Sequence, residues 1–142
     1  MLRAFILSLA MLFAMPTLAH AEVSEADKKA IDVKVDAFFN GLNAGKTEEA
    51  MVTIFLPRMT DKKLELQNLA GQTDMAVKYA GTPVKWVVMD QNALADMLVY
   101  RKYLVYSDDM PFKFTFVFFK TSKGWFAQSV NFSDINPSDL EK

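Results

Sequence analysis

The hydrophobic period of the sequence changes near residue 84, and this change constrains the fold more than any other feature. From residue 22 to residue 80, apolar residues recur at the spacing of an amphipathic helix. From Val84 onward they recur at every second position, which is the period of a β-strand. Helices followed by strands predict an α+β domain in which the helices cover one face of the sheet.

The first half predicts three helices. Ser24 is placed to cap the first helix, and Thr47 is predicted to cap a second, short helix that ends at Pro57. A third helix is predicted to open at Thr60 and to close before residues 81–83. The inward face of the first helix is predicted to carry Ile31, Val35, Phe38, Phe39 and Leu42.

The second half predicts four strands. The first ends at a turn of residues 90–92, and the second is a long, unbroken strand over residues 93–106. The third begins at Phe112, and the fourth follows a short connection at residues 121–124. On the fourth strand one face is predicted to carry Phe126, Val130 and Phe132 and the other Trp125, Ala127, Ser129 and Asn131. Such short connections make neighbouring strands antiparallel, so the sheet is predicted to be a meander.

Two segments carry a resemblance to a known superfamily. Residues 38–50, Phe-Phe-Asn-Gly-Leu-Asn-Ala-Gly-Lys-Thr-Glu-Glu-Ala, combine a helix end, a glycine break and a second helix start. Together with the closing hairpin of residues 116–134, they resemble the nuclear-transport-factor-2-like superfamily, which includes ketosteroid isomerases, dehydratases and small exported proteins. The resemblance implies a cone-shaped α+β fold, with N-terminal helices packed on a strongly curved antiparallel four-stranded meander. It implies a possible pocket but no particular activity, because that fold hosts many unrelated functions.

Residues 1–21 have the organisation of a secretory signal peptide. Arg3 supplies a positive charge, residues 4–18 are apolar, and Ala19-His20-Ala21 fits the small-x-small cleavage pattern. Cleavage after Ala21 would leave residues 22–142 as a single α+β domain in the periplasm or the medium. The apolar run is shorter than the roughly 20 residues that a spanning helix needs, which argues against an uncleaved membrane anchor. After cleavage, no membrane association is predicted.

The composition of residues 22–142 excludes several chemistries. The chain has no cysteine, and its one histidine lies in the predicted signal peptide. The mature chain therefore has no imidazole base, thiol nucleophile or cysteine zinc site. Since Arg3 is the only charged residue removed, the mature net charge is −2. Without a basic stripe, this charge argues against nucleic-acid binding. No calcium-loop or glycine-rich nucleotide motif is present, so no metal and no cofactor is expected.

The third predicted strand is the richest in aromatic residues. Its alternating positions carry Phe112, Phe114, Phe116 and Phe118. The simplest interpretation is that they form the core face of the sheet. The functional alternative is that they line, with Tyr103, a cavity for a small apolar ligand between the sheet and the helices. Val117 and Phe119 are apolar on the opposite face, which suggests a homodimer through the sheet.

Asp96 and Tyr100 are the candidate catalytic residues. They lie four positions apart and would share a face on an unbroken strand, where a carboxylate and a phenol could converge on the cavity wall. A cofactor-free isomerase or dehydratase needs no more than such groups in an apolar pocket. The simpler interpretation makes Asp96 an exposed residue at a strand start. No residue-by-residue match carries over the catalytic groups of the isomerases.

Charged residues of the sheet and tail give weaker predictions. Arg101 and Lys102, with Lys85 or Lys113 on neighbouring strands, could form an anion-binding spot, although a solvated face is the simpler interpretation. The tail, residues 136–142, is predicted to be a frayed end.

The sequence therefore favours an exported, non-enzymatic binding protein. Its expected partner is a small apolar ligand in the cavity, or a protein across the sheet, including a second copy of the chain. The isomerase or dehydratase is one alternative, and a secreted inhibitor or accessory subunit is another.

Overall fold

The computed structural model describes residues 22–141, so the predicted signal peptide lies outside the described residues. The helices are α1 (Glu25–Asn43), α2 (Thr47–Ile54), α3 (Pro57–Thr60) and α4 (Lys63–Ala80). The strands are β1 (Pro83–Leu94), β2 (Leu98–Ser107), β3 (Phe112–Thr121) and β4 (Gly124–Asp134), followed by a 3-10 helix, Pro137–Asp139. The α+β class is confirmed, and the strands form one open antiparallel sheet in the order β1-β2-β3-β4. In this part of the chain no helix is long and apolar enough to cross a membrane.

The helix boundaries follow the local sequence with two corrections. Ser24 caps α1 as predicted, and its hydroxyl accepts a hydrogen bond of 3.1 Å from the backbone N–H of Asp27. Thr47 does not cap α2, because it is the first residue of that helix and its hydroxyl donates to the Asp74 carboxylate on α4. Pro57 opens α3, where its fixed φ favours the first helical turn, so α4 starts later than predicted.

The core lies between the helices and one face of the sheet. Phe38 and Phe39 on α1 meet Phe114 and Phe116 on β3 edge to face, with ring centroids 5.2 to 6.2 Å apart. Each such pair adds about 0.5–1.5 kcal/mol beyond the burial of its area. All four alternating phenylalanines of β3 are buried, which confirms them as its core face. The opposite side of the sheet is called the outer face below.

The first hairpin lies where an unbroken strand was predicted. The predicted turn at residues 90–92 is wrong because these residues continue β1, and the chain turns at residues 95–97 instead. Gln91 lies opposite Arg101 and accepts a hydrogen bond of 2.6 Å from its Nε. The predicted strand over residues 93–106 is therefore two strands.

The predicted faces of β4 are also wrong at its start. Trp125 and Ala127 face the core, and Phe126 is half-buried. A register shift opposite Val117 and Phe118 leaves Gln128 as an extra residue, so Val130 also faces the core. A β-bulge of one extra residue returns the following side chains of β4 to the core side in this way. A strict two-residue alternation along the sequence does not predict such an extra residue.

Residues 136–139 are held against the outer face, so the predicted frayed end is wrong for this part of the tail. The Asp139 carboxylate lies 2.6 Å from Lys113 Nζ and 3.4 Å from Lys102 Nζ, and its side chain is 4% exposed. It also accepts a hydrogen bond of 2.9 Å from the backbone N–H of Asn136. Lys102 and Lys113, two of the three lysines of the predicted anion-binding spot, thus hold a carboxylate of their own chain, while Arg101 faces the core.

Candidate functional site

A surface groove lies between α4 and the strands β3 and β4. It has a volume of about 560 Å³. Met75, Ala76 and Tyr79 form its helical side, because residues three and four positions apart share one face of a helix. Phe112 and Phe132 contribute the strand side. The groove is therefore bounded mainly by apolar and aromatic groups from both layers of the fold.

On the helical side two large side chains are exposed, whereas the strand side, which forms the base of the groove, is more deeply buried. Met75 is 64% exposed and Tyr79 is 73% exposed, while Phe112 is buried and Phe132 is half-buried. An unbranched thioether such as that of Met75 adapts to differently shaped apolar partners. Two large exposed apolar side chains beside a buried aromatic base are typical of a surface that gains from contact with an apolar partner.

Three polar residues also line the groove. They are Gln72, Ser133 and Asp134. A few polar groups within an apolar lining are what orients a ligand in most small-molecule sites. No residue of the lining is a lysine or an arginine.

One of the five predicted ligand-binding residues lines this groove, namely Phe112. The other four are Tyr103, Phe114, Phe116 and Phe118, and all are buried in the core. They contact one another, with the rings of Tyr103 and Phe116 centred 5.7 Å apart. Phe38 and Phe39 of α1 occupy the space beside them. These residues thus meet as a packed aromatic cluster.

Tyr103 belongs to a partly buried polar cluster that sequence reasoning did not assemble. Arg101 Nη1 donates a hydrogen bond of 2.9 Å to the Tyr103 hydroxyl and also donates to the Asp32 carboxylate on α1. Its Nε donates to Gln91. Burial raises the pKa of the Tyr103 phenol, which therefore stays protonated at neutral pH. The guanidinium is satisfied within the chain, which indicates a structural role.

The two candidate catalytic residues do not share a strand. Asp96 is exposed in the turn between β1 and β2, and Tyr100 is half-buried on β2, opposite Val117 of the outer face. Asp96 borders a small pocket of about 230 Å³ that also includes Asp27 and Lys120, but Tyr100 is not part of its lining. The shared face on which the acid–base pair depended is therefore absent.

Sequence reasoning missed most of the groove. It singled out neither Met75 nor Tyr79, which lie on the exposed side of α4. These two residues are four positions apart and form a second apolar stripe, which is the signal that could have pointed to the groove. Phe132 was predicted to lie on one face of the fourth strand, but no helical residue was predicted to pack against it.

In the described part of the chain, no group of three or more acidic side chains is placed to hold a metal ion. Comparison with known proteins adds no relative, since no family model, no curated protein and no solved structure matches the chain.

Proposed function

We propose that the protein is an exported, non-enzymatic binding protein that takes a small apolar ligand in the groove between α4 and the sheet. The observation that carries this proposal is the pair of exposed side chains, Met75 and Tyr79, beside the aromatic base of Phe112 and Phe132. A volume of about 560 Å³ lies within the usual range of small-molecule sites.

The remaining parts of the proposal come from the sequence and the order of the elements. Export depends on residues 1–21 and requires that the mature chain begin at Glu22. Helices followed by a four-stranded meander support membership of the nuclear-transport-factor-2-like superfamily, with its cone-shaped sheet. A binding role is favoured over catalysis because Asp96 and Tyr100 do not converge.

Native mass spectrometry of the protein purified from the periplasm of its own host is the first test. The expected spectrum shows a chain starting at Glu22 and an additional mass that disappears on denaturation. A chain that still carries residues 1–21 would contradict export.

A pair of variants on one helix tests the groove directly. Met75→Glu places a carboxylate on the groove wall, whereas Leu64→Glu changes an equally apolar residue of α4, 72% exposed, that does not line the groove. In a titration with an apolar fluorescent probe, Met75→Glu should weaken binding by about tenfold, which corresponds to about 1.4 kcal/mol. Leu64→Glu should bind as the wild type does. Equal affinity of both variants would contradict the proposal.

A second candidate function is protein binding through the outer face, with a second copy of the chain as the partner. The register of the strands places Leu94, Leu98 and Phe119 side by side across three strands of this face. Tyr100 and Val117 form the next pair along it. A continuous apolar row on the outer face favours an isologous contact between two sheets.

Sedimentation velocity of the mature protein tests this candidate. The wild type should form a dimer, and Leu98→Lys should yield a monomer because it buries an unpaired charge in the contact. Val33→Lys is the matched control, since Val33 is 60% exposed on α1, away from the outer face. A monomeric wild type at high concentration would rule out the dimer.

A further inference from the structure

One end of the groove differs from the rest in its charges. Ala80, the last residue of α4, accepts backbone hydrogen bonds of 3.1 Å from both Asp109 and Met110 in the loop before β3. Phe112 follows this loop directly and pairs with Asp134 across the sheet. Ala80 and Asp134 both line the groove, so they lie at the same end of it.

The charges at this end are mostly negative. Asp134 is the only titratable carboxylate of the lining and has no basic partner there. The C-terminal end of an α-helix carries about half a negative charge, and α4 ends at this place. Asp108 packs against Gly81 just beyond the helix, with Asp109 next to it. The cation nearest along the helix, Lys78, is exposed and is not part of the lining.

The ring of Tyr79 adds a second feature that suits a cation. It lines the groove one residue before the helix end and is 73% exposed, so much of its side chain is accessible to a ligand. Aromatic faces attract ammonium groups through the quadrupole of the ring. A ligand carboxylate at the same place would be repelled by Asp134 and by the helix end.

We propose that the ligand of the groove is an amphiphile whose apolar chain lies along Met75 and Phe132 and whose head group is a cationic amine or quaternary ammonium beside Asp134. The inference rests on the proposed function, because it names the chemical class of the ligand for the same groove. It also predicts that fatty acids, which share the apolar chain, are poor ligands.

Three amphiphiles built on a chain of twelve carbons test the head-group preference. Dodecyltrimethylammonium, dodecanol and dodecanoate are titrated below their aggregation limits against the protein loaded with an apolar fluorescent probe. The cationic compound should displace the probe at a concentration about tenfold lower than dodecanoate, with dodecanol between them. Asp134→Asn should weaken the cationic compound about fivefold and leave dodecanol unchanged.

Asp61→Asn is the matched control, because it removes the same charge from an exposed residue outside the groove. It should bind all three compounds as the wild type does. Equal displacement by the cationic and anionic compounds, or an equal effect of the two Asn variants, would overturn the head-group assignment while leaving the groove as a binding site. If none of the compounds displaces the probe and Met75→Glu has no effect, the proposed function itself fails.

Discussion

Arg101 and Lys102 are neighbours in the chain, yet their side chains belong to opposite faces of the sheet. Successive residues of a strand point to opposite sides, so the two cations cannot act as a pair. Lys102 contacts Asp139 on the outer face, whereas Arg101 is 2% exposed in the core. A buried guanidinium is tolerated only when its donors are satisfied, and Asp32, 69 residues away in the chain, supplies the carboxylate.

Asp32→Ala should therefore lower the free energy of unfolding by about 2 kcal/mol, less than the 3–5 kcal/mol of a fully buried pair because Asp32 is half exposed. Urea unfolding at neutral pH measures the change. Glu25→Ala is the control on the same helix, since its ion pair with Lys28 is on the surface, and it should change stability by less than about 0.5 kcal/mol. Similar losses in the two variants would mean that Arg101 does not depend on Asp32.

At the scale of the elements, the sequence predicts the type and order of the helices and strands better than their boundaries. The core face of β3 was predictable because its alternation continues without interruption through Phe118. The position of the turn after β1 was not predictable, because Gln91 resembles a turn residue until its partner across the sheet is known. The bulge at Gln128 depends on the pairing of two strands and leaves no local signal. The groove is lined by both Met75 of α4 and Phe132 of β4, and this arrangement exists only in the folded chain.

Phe116→Ala tests the register of β3. Phe116 is fully buried among the rings of α1 and β3, so its truncation should cost about 3–5 kcal/mol in urea unfolding. Phe119→Ala is the control on the opposite face of the same strand, where the side chain is half-buried, and its cost should be clearly smaller. A loss below about 1 kcal/mol for Phe116→Ala would place the core on the other face of β3.

At the scale of the whole molecule, two carboxylates fasten the two ends of the described chain to the sheet. Near the start of α1, Asp27 accepts hydrogen bonds from Lys120 on β3 and from Trp125 Nε1 on β4, the latter at 2.8 Å. Near the other end, Asp139 accepts from Lys113 at 2.6 Å. These contacts join segments that are far apart in the sequence, so their loss would loosen both the first helix and the tail.

Both contacts should make the fold sensitive to acid. The hydrogen bond from Lys120, followed by that from Trp125, lowers the pKa of Asp27 from the usual 3.8 to about 2. The hydrogen bond from Lys113 is the main cause of the same shift, to about 2, in the pKa of Asp139. Because the unfolded chain takes up these protons at higher pH than the folded chain does, the stabilisation is complete above about pH 5. It should be lost progressively as the pH falls from about 4 to about 2.

The double variant Asp27→Asn/Asp139→Asn isolates this contribution from that of the other carboxylates. Neutral amides cannot be ionised, so the variant should be less stable than the wild type at pH 7, and the difference should shrink as the pH approaches 2. Urea unfolding of both proteins over a series of pH values measures the two curves, with Asp61→Asn as a control that should follow the wild type. Parallel curves for the double variant and the wild type would show that protonation of these two carboxylates does not cause the loss of stability in acid.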